Sequence, residues 1–248
     1  MKQLAICSVL CAAVCAAHTI ARAGACARAG WSPKVLTPKQ LVIPRDGGLL
    51  VGAVMGFGSG STRSGNPSLT NWHLHRGGRI VRLRHKVLAP GLTVYRPRKR
   101  VIGIWWLTPR KNKRSLRFGG RAGRSMAAPT VKKVETYMST WKNFRGYTQH
   151  SQHVDARITG AAPKGAIGVI VYKRFDHKWV PMLFRRVPNV QAQQRGARNI
   201  GLYSSPGRCS GVVPGLQIPV DGHTVQLRWV DQFGRLSKAS NMVKVTRR

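Results

Sequence analysis

Between Arg79 and Val87 the chain reads RIVRLRHKV, and its side chains alternate with period two. Ile80, Arg82, Arg84 and Lys86 fall on one side, and Val81, Leu83, His85 and Val87 on the other. Successive side chains of an extended strand point to opposite faces, so this pattern gives one basic and one apolar face. Such a strand must lie in a sheet whose apolar side is covered. The same alternation returns near the C-terminus, where Val225, Leu227 and Trp229 share a face before the Asp231–Gly234 turn and a returning strand at Met242–Val245. Two strands cannot bury an apolar face alone, so further strands must lie against them.

The rest of the chain repeats this theme. Leu49–Met55, Asn71–His75, GLTVYRP, RVIGIWWL, HVDARI, AIGVIVYKR and KWVPMLFRRV are strand-sized. Turn signals such as Asp46-Gly47-Gly48, Gly77-Gly78 and Asp176-His177 recur every 8–15 residues. Long runs with helical spacing are missing. PTVKKVETYMSTWKNF comes nearest, through Val131, Val134, Tyr137, Met138 and Trp141; a three-turn helix and a strand with a ragged end both fit it. The reading is all-β, with two antiparallel immunoglobulin-like β-sandwich domains after an N-terminal leader. Domain one spans 31–108 and domain two 129–248, with one large domain as the alternative. Residues 109–128, basic and containing glycine, are expected to form a linker or an exposed loop.

Lys2, the apolar run Leu4–Ala17 and the Ala21-x-Ala23 exit form the pattern of a secretory signal peptide over residues 1–23, with cleavage after Ala17 as a second choice. The run is shorter than the roughly 20 residues a membrane helix needs, and no later stretch reaches that length. The expected location is therefore secreted, periplasmic or at the cell envelope. Cys26 would be the first mature cysteine, which leaves lipid anchoring open. Three of the five cysteines leave with the signal, and Cys26 and Cys209 remain as a candidate disulfide.

The segments AIGVIVYKR, WVPMLF and HTVQLRWVDQFGRLSKASNMVKV resemble the C, C′, F and G strands of a fibronectin type III or related immunoglobulin-like domain. Its tyrosine-corner position falls at His223 and its core-tryptophan position at Ala156. The resemblance covers the C-terminal 90–100 residues or so and implies a spacer, adhesion module or enzyme accessory.

Charge narrows the chemistry. Lys and Arg number 43 against 6 Asp and Glu, a formal net charge of +37. Most basic groups therefore lack a carboxylate partner and must face solvent or a polyanion. Acidic polysaccharide, lipopolysaccharide and anionic lipid all qualify, and nucleic acid qualifies non-specifically. A charge without any partner is the other reading. Arg96, Arg98, Lys99, Arg100, Lys111, Lys113 and Arg114, interleaved with Tyr95, Trp105 and Trp106, are the candidate anion-binding residues.

Catalysis has less support. Asp46, Asp176, Asp221 and Asp231 sit in turn contexts, where a carboxylate accepts local backbone hydrogen bonds, which leaves Asp155 and Glu135. His73 and His75, two apart on a strand, could chelate a metal, with His85 as a third ligand from a neighbouring strand. Cys209 with His223 and Asp221 has the residue types of a thiol nucleophile site. The expected molecule is an exported non-catalytic module with no cofactor. A secreted hydrolase or metal-dependent enzyme is the alternative.

Overall fold

The structure, a computed structural model, describes residues 29–57, 72–108, 114–142, 146, 148–186, 198–204 and 222–248. The chain is all-β, with two curled, largely antiparallel sheets. The first sheet contains β1 (Ala29–Val35), β2 (Val42–Ile43), β3 (Leu49–Phe57), β4 (His73–Arg76), β5 (Arg79–Ala89), β6 (Leu92–Pro97), β7 (Gly103–Thr108) and β8 (Arg114–Phe118). The second contains β9 (Thr130–Lys142), β10 (Thr148–Thr159), β11 (Ala166–Phe175), β12 (Lys178–Arg186), β13 (Arg198–Ser204), β14 (Thr224–Asp231) and β15 (Val243–Arg247). Among the described residues no helix is long and apolar enough to cross a membrane.

The first sheet runs β1-β3-β6-β5-β4-β7-β8-β2. The alternating strand β5 holds it together, because Arg79–Arg82 pair with β4 and Leu83–Ala89 pair with β6. Leu49, Val51 and Tyr95 from one half meet Leu74, Trp105, Leu107, Leu116 and Phe118 from the other, so the sheet curls around its own core. Its last pair, β2 with β8, is parallel. The residues expected as a linker thus divide differently. Arg114–Phe118 alternate inward Leu116 and Phe118 with outward Ser115 and Arg117, so they belong to the sheet as β8. Residues 119–129 make the passage to the second sheet.

The second sheet runs β12-β11-β14-β15-β9-β10-β13. The segments expected as C′, C, F and G strands are β12, β11, β14 and β15, and they lie side by side in that order. β15 carries the sheet across: Val243 and Lys244 pair antiparallel with β14, then Val245–Arg247 pair parallel with β9. Beyond that short antiparallel contact, β14 makes only a bridge from Val230 to Leu236 on this edge among the described residues. Buried donors left over there are met by side chains, with Leu227 N–H donating to Ser240 Oγ and Trp229 N–H to Ser237 Oγ, each at 2.9 Å. Trp229 fills the core with Leu227, Val154 and Val171, next to the small Ala156. His223, at the tyrosine-corner position, is exposed and its carbonyl accepts from Val245 N–H.

The segment left open between helix and strand is β9. Lys133 pairs with Arg157 and Val131 with Ile158, so Lys132 is an extra, bulged residue. The bulge puts Val131 and Val134 on the same buried side at a spacing of three, and this produces the helix-like pattern.

The two sheets meet through a third apolar cluster. Leu50, Leu88, Leu92 and Val94 of the first pack with Ile170 and Val230 of the second. Polar groups fix the approach of the Asp231–Gly234 turn. Gly48 N–H donates to the Phe233 carbonyl at 2.9 Å, and Thr37 Oγ1 donates to the Gln232 carbonyl at 2.8 Å while accepting from Leu50 N–H at 2.7 Å. Arg235 reaches Asp231 Oδ2 at 2.7 Å and Asp46 Oδ2 at 3.6 Å, so two of the rare carboxylates converge on one guanidinium at the junction.

Candidate anion-binding site

The pocket at the end of β6 starts from a hairpin. β5 turns through Pro90-Gly91 into β6, and Ala89 pairs with Leu92. Leu88 is bulged, so the next pair is Val87 with Thr93, and the register then sets Arg84 directly opposite Arg96. Paired residues of neighbouring strands share a face, so two cations stand side by side. The stem of Arg96 lies over Gly48, where a Cβ would fall 2.8 Å from Arg96 Cγ and 2.5 Å from the Tyr95 carbonyl oxygen. Glycine is what lets the arginine approach the backbone this closely.

Past β6 the chain bends at Arg98-Lys99-Arg100, with Arg98 N–H donating to the Arg82 carbonyl at 3.0 Å. These residues, with Arg45, Arg84 and Arg96, line a cavity of about 250 Å³ together with Pro44, Gly47, Pro97, Val101, Phe118 and Gly119. Among the described residues six cationic side chains line it and no carboxylate does. Burial pulls the Arg96 guanidinium below its ordinary value and Arg84 adds repulsion, while Asp46 and Asp231 act in the opposite sense. The group is still protonated at neutral pH, because arginine is effectively always charged. Its Nε is buried and has no hydrogen-bond partner among the described residues.

The expected anion-binding set therefore divides. Arg96, Arg98, Lys99 and Arg100 come together. Arg114 does not line the cavity: it is partly buried on β8, and its guanidinium donates to the Thr37 carbonyl. Lys111 and Lys113 lie outside the described residues. Arg84 and Arg45 complete the pocket and were not anticipated. The Arg82/Arg84/Lys86 alternation put Arg84 on the right face, but only the bulge brings it to Arg96. Of the aromatic residues, Tyr95 and Trp105 are core, and only Trp106 is exposed.

The histidine triad does not form. His73 pairs with Arg82 and so shares the face of Arg82 and Arg84. His85, three residues beyond Arg82, faces the other way and lies near Tyr95. Among the described residues no group of three or more potential metal ligands gathers. Cys26, Cys209 and Asp221 lie outside the described residues, as does the leader.

The carboxylates have structural roles. Asp231 Oδ1 accepts from Phe233 and Arg235 N–H at 2.9 Å, the local turn bonding anticipated for it. Asp46 instead accepts from the distant Gly123 N–H at 2.8 Å. Asp176 and His177 take positive φ values of 42° and 65° in the hairpin between β11 and β12. Asp155 and Glu135, the two left over, are cross-strand neighbours on β10 and β9. Lys133 Nζ holds Glu135 at 2.7 Å, and Asp155 hydrogen-bonds Tyr137, whose hydroxyl is raised in pKa by burial first and by Asp155 second.

Compared with known proteins, the chain matches no family model, no curated sequence and no solved structure.

Proposed function

We propose that this chain is an exported, non-catalytic binding or structural module that associates with anionic envelope or extracellular surfaces through its basic side chains. The observation that carries the reading is the cavity beside β6, lined among the described residues by six cations and no acid. Cations placed together without counter-charges raise the local potential, and an incoming polyanion lowers it. The nearest acids, Asp231 and Asp46, make their ion pairs with Arg235 and only act on Arg96 from a distance, while Glu135 holds Lys133.

The architecture supports a module of immunoglobulin-like type. We read β12, β11, β14 and β15 as the C′, C, F and G strands of a fibronectin type III-like sandwich, facing β9, β10 and β13 as A, B and E. In the first sheet we read β1, β3, β6 and β5 as one layer of a second such sandwich and β4, β7, β8 and β2 as the other, on the strength of their order and the curl of the sheet. Rigid sandwiches of this kind hold charged loops in fixed positions, which suits a surface adhesion module.

A pull-down of the full chain on lipopolysaccharide, an acidic polysaccharide and DNA, each at low and high salt, tests the proposal. Retention on at least one anionic matrix at low salt and release at high salt is the expected result. Retention on none of them, or retention unchanged by salt, would overturn it.

A further inference from the structure

We infer that the pocket beside β6 is a seat for one tetrahedral oxyanion, a phosphate or sulfate group, held between Arg96 and Arg84 and closed by the Arg98–Arg100 bend. The inference rests on the anion-binding reading above and narrows it from a charged surface to a defined subsite. Three observations carry it. First, the Arg84–Arg96 pair places two like charges in cross-strand register, an arrangement that costs stability unless an anion lies between them. Second, Arg45, Arg98, Lys99 and Arg100 join Arg84 and Arg96 around one cavity, so further cationic donors converge on the same space. Third, the cavity is about 250 Å³, below the roughly 300–1,000 Å³ of sites for drug-sized ligands. That volume suits a headgroup rather than a whole metabolite.

The chemistry selects the shape of the anion. Guanidinium groups donate paired N–H bonds in a planar fork, which matches two oxygens of a phosphate or sulfate. A tetrahedral group has a third oxygen for a further donor, and the exposed Arg98–Arg100 bend, which also lines the cavity, supplies such donors. A carboxylate, with two oxygens in one plane, satisfies one fork and leaves the second arginine unmatched.

Titration calorimetry of the full chain with inorganic phosphate, sulfate and acetate, at ionic strength fixed with chloride, tests this. Saturable one-site binding of phosphate and sulfate is expected, with acetate at least about tenfold weaker. Arg96→Gln should weaken phosphate binding about tenfold or more. A control carrying Lys132→Gln and Arg157→Gln, both exposed on the second sheet, should change it less than about twofold. If Arg96→Gln does not fold, Arg98→Gln on the exposed rim takes its place, with a loss of about threefold or more expected. Acetate binding as tightly as phosphate, or an equal loss in the control, would overturn the assignment. Vesicles of phosphatidylcholine containing phosphatidic acid separate the sources. Capture that Arg96→Gln abolishes points to a membrane headgroup, and phosphate binding without such capture points to a soluble anion. Salt-sensitive retention on a polyanion without saturable phosphate binding would remove this inference and leave the broader reading in place. Failure of both would remove both.

Discussion

Arg84 on β5 and Arg96 on β6 face each other in register, two cations paired on one face of the first sheet. Like charges directly opposite on neighbouring strands destabilise by roughly 0.2–1 kcal/mol. Arg84→Gln should therefore raise the stability of the anion-free protein by about 0.5 kcal/mol and lower its affinity for anions. Urea denaturation with and without phosphate measures both effects. A variant less stable than the parent in anion-free buffer would contradict the repulsion.

The junction between the sheets rests on unequal carboxylates. Asp231 is 2% exposed, while Asp46 is 46% exposed. Removing one partner of a buried ion pair costs about 3–5 kcal/mol, so Asp231→Ala should lose that much stability. Exposed pairs contribute about 0–1 kcal/mol, and Asp46→Ala should stay within that range. Denaturation midpoints of the two variants would contradict this account if they were equal.

Gly234 closes the Asp231 turn at φ +68°, and a Cβ there would fall 2.6 Å from Val94 Cγ2 in the first sheet. Gly234→Ala should cost about 1–3 kcal/mol through that overpacking. Val94→Ala removes the obstructing methyl groups, so the double variant should be more stable than the sum of the single changes predicts. Strict additivity in a double-mutant cycle would mean that the cost comes from the positive φ and the remaining Val94 Cβ and Leu50 contacts, not from the Val94 methyl groups.

Tyr172 on β11 has its hydroxyl pKa raised, by burial first, with Arg228 pulling the other way. The folded chain then holds this proton to higher pH than the unfolded chain does. Its contribution is whole below the unfolded tyrosine value of about 10 and is lost as pH rises through the higher folded value. Tyr172→Phe should flatten the fall in stability across that alkaline window. Parallel curves for parent and variant between about pH 9 and 11.5 would argue against the shift.

Much of the fold was legible in the sequence because it depends on period-two alternation. Val225, Leu227 and Trp229 are all buried on β14, and the Asp176-His177 turn joins β11 to β12 as its residues suggest. The exceptions trace to single extra residues. The bulge at Lys132 made β9 resemble a helix. The bulge at Leu88 moved Arg84 opposite Arg96, where an unbroken hairpin would have placed Pro97. Period counting cannot locate such an insertion, because the strand on either side looks regular. The cluster Arg96–Arg100 was legible as a charge run. Arg45 was not, since it follows β2, whose parallel pairing with β8 the sequence does not display, and its N–H is held by the distant Arg121 carbonyl. His85 failed as a partner for His73 by strand parity, which depends on a pairing register that the sequence does not display.

The most direct measurement is the affinity of the full chain for a sulfated polysaccharide as salt is raised from about 50 to about 500 mM, for the parent and for Arg84→Gln/Arg96→Gln. The account predicts a steep, continuous loss of affinity in the parent and a lower, shallower line in the variant. A flat line in the parent, or identical lines in the two proteins, would contradict it.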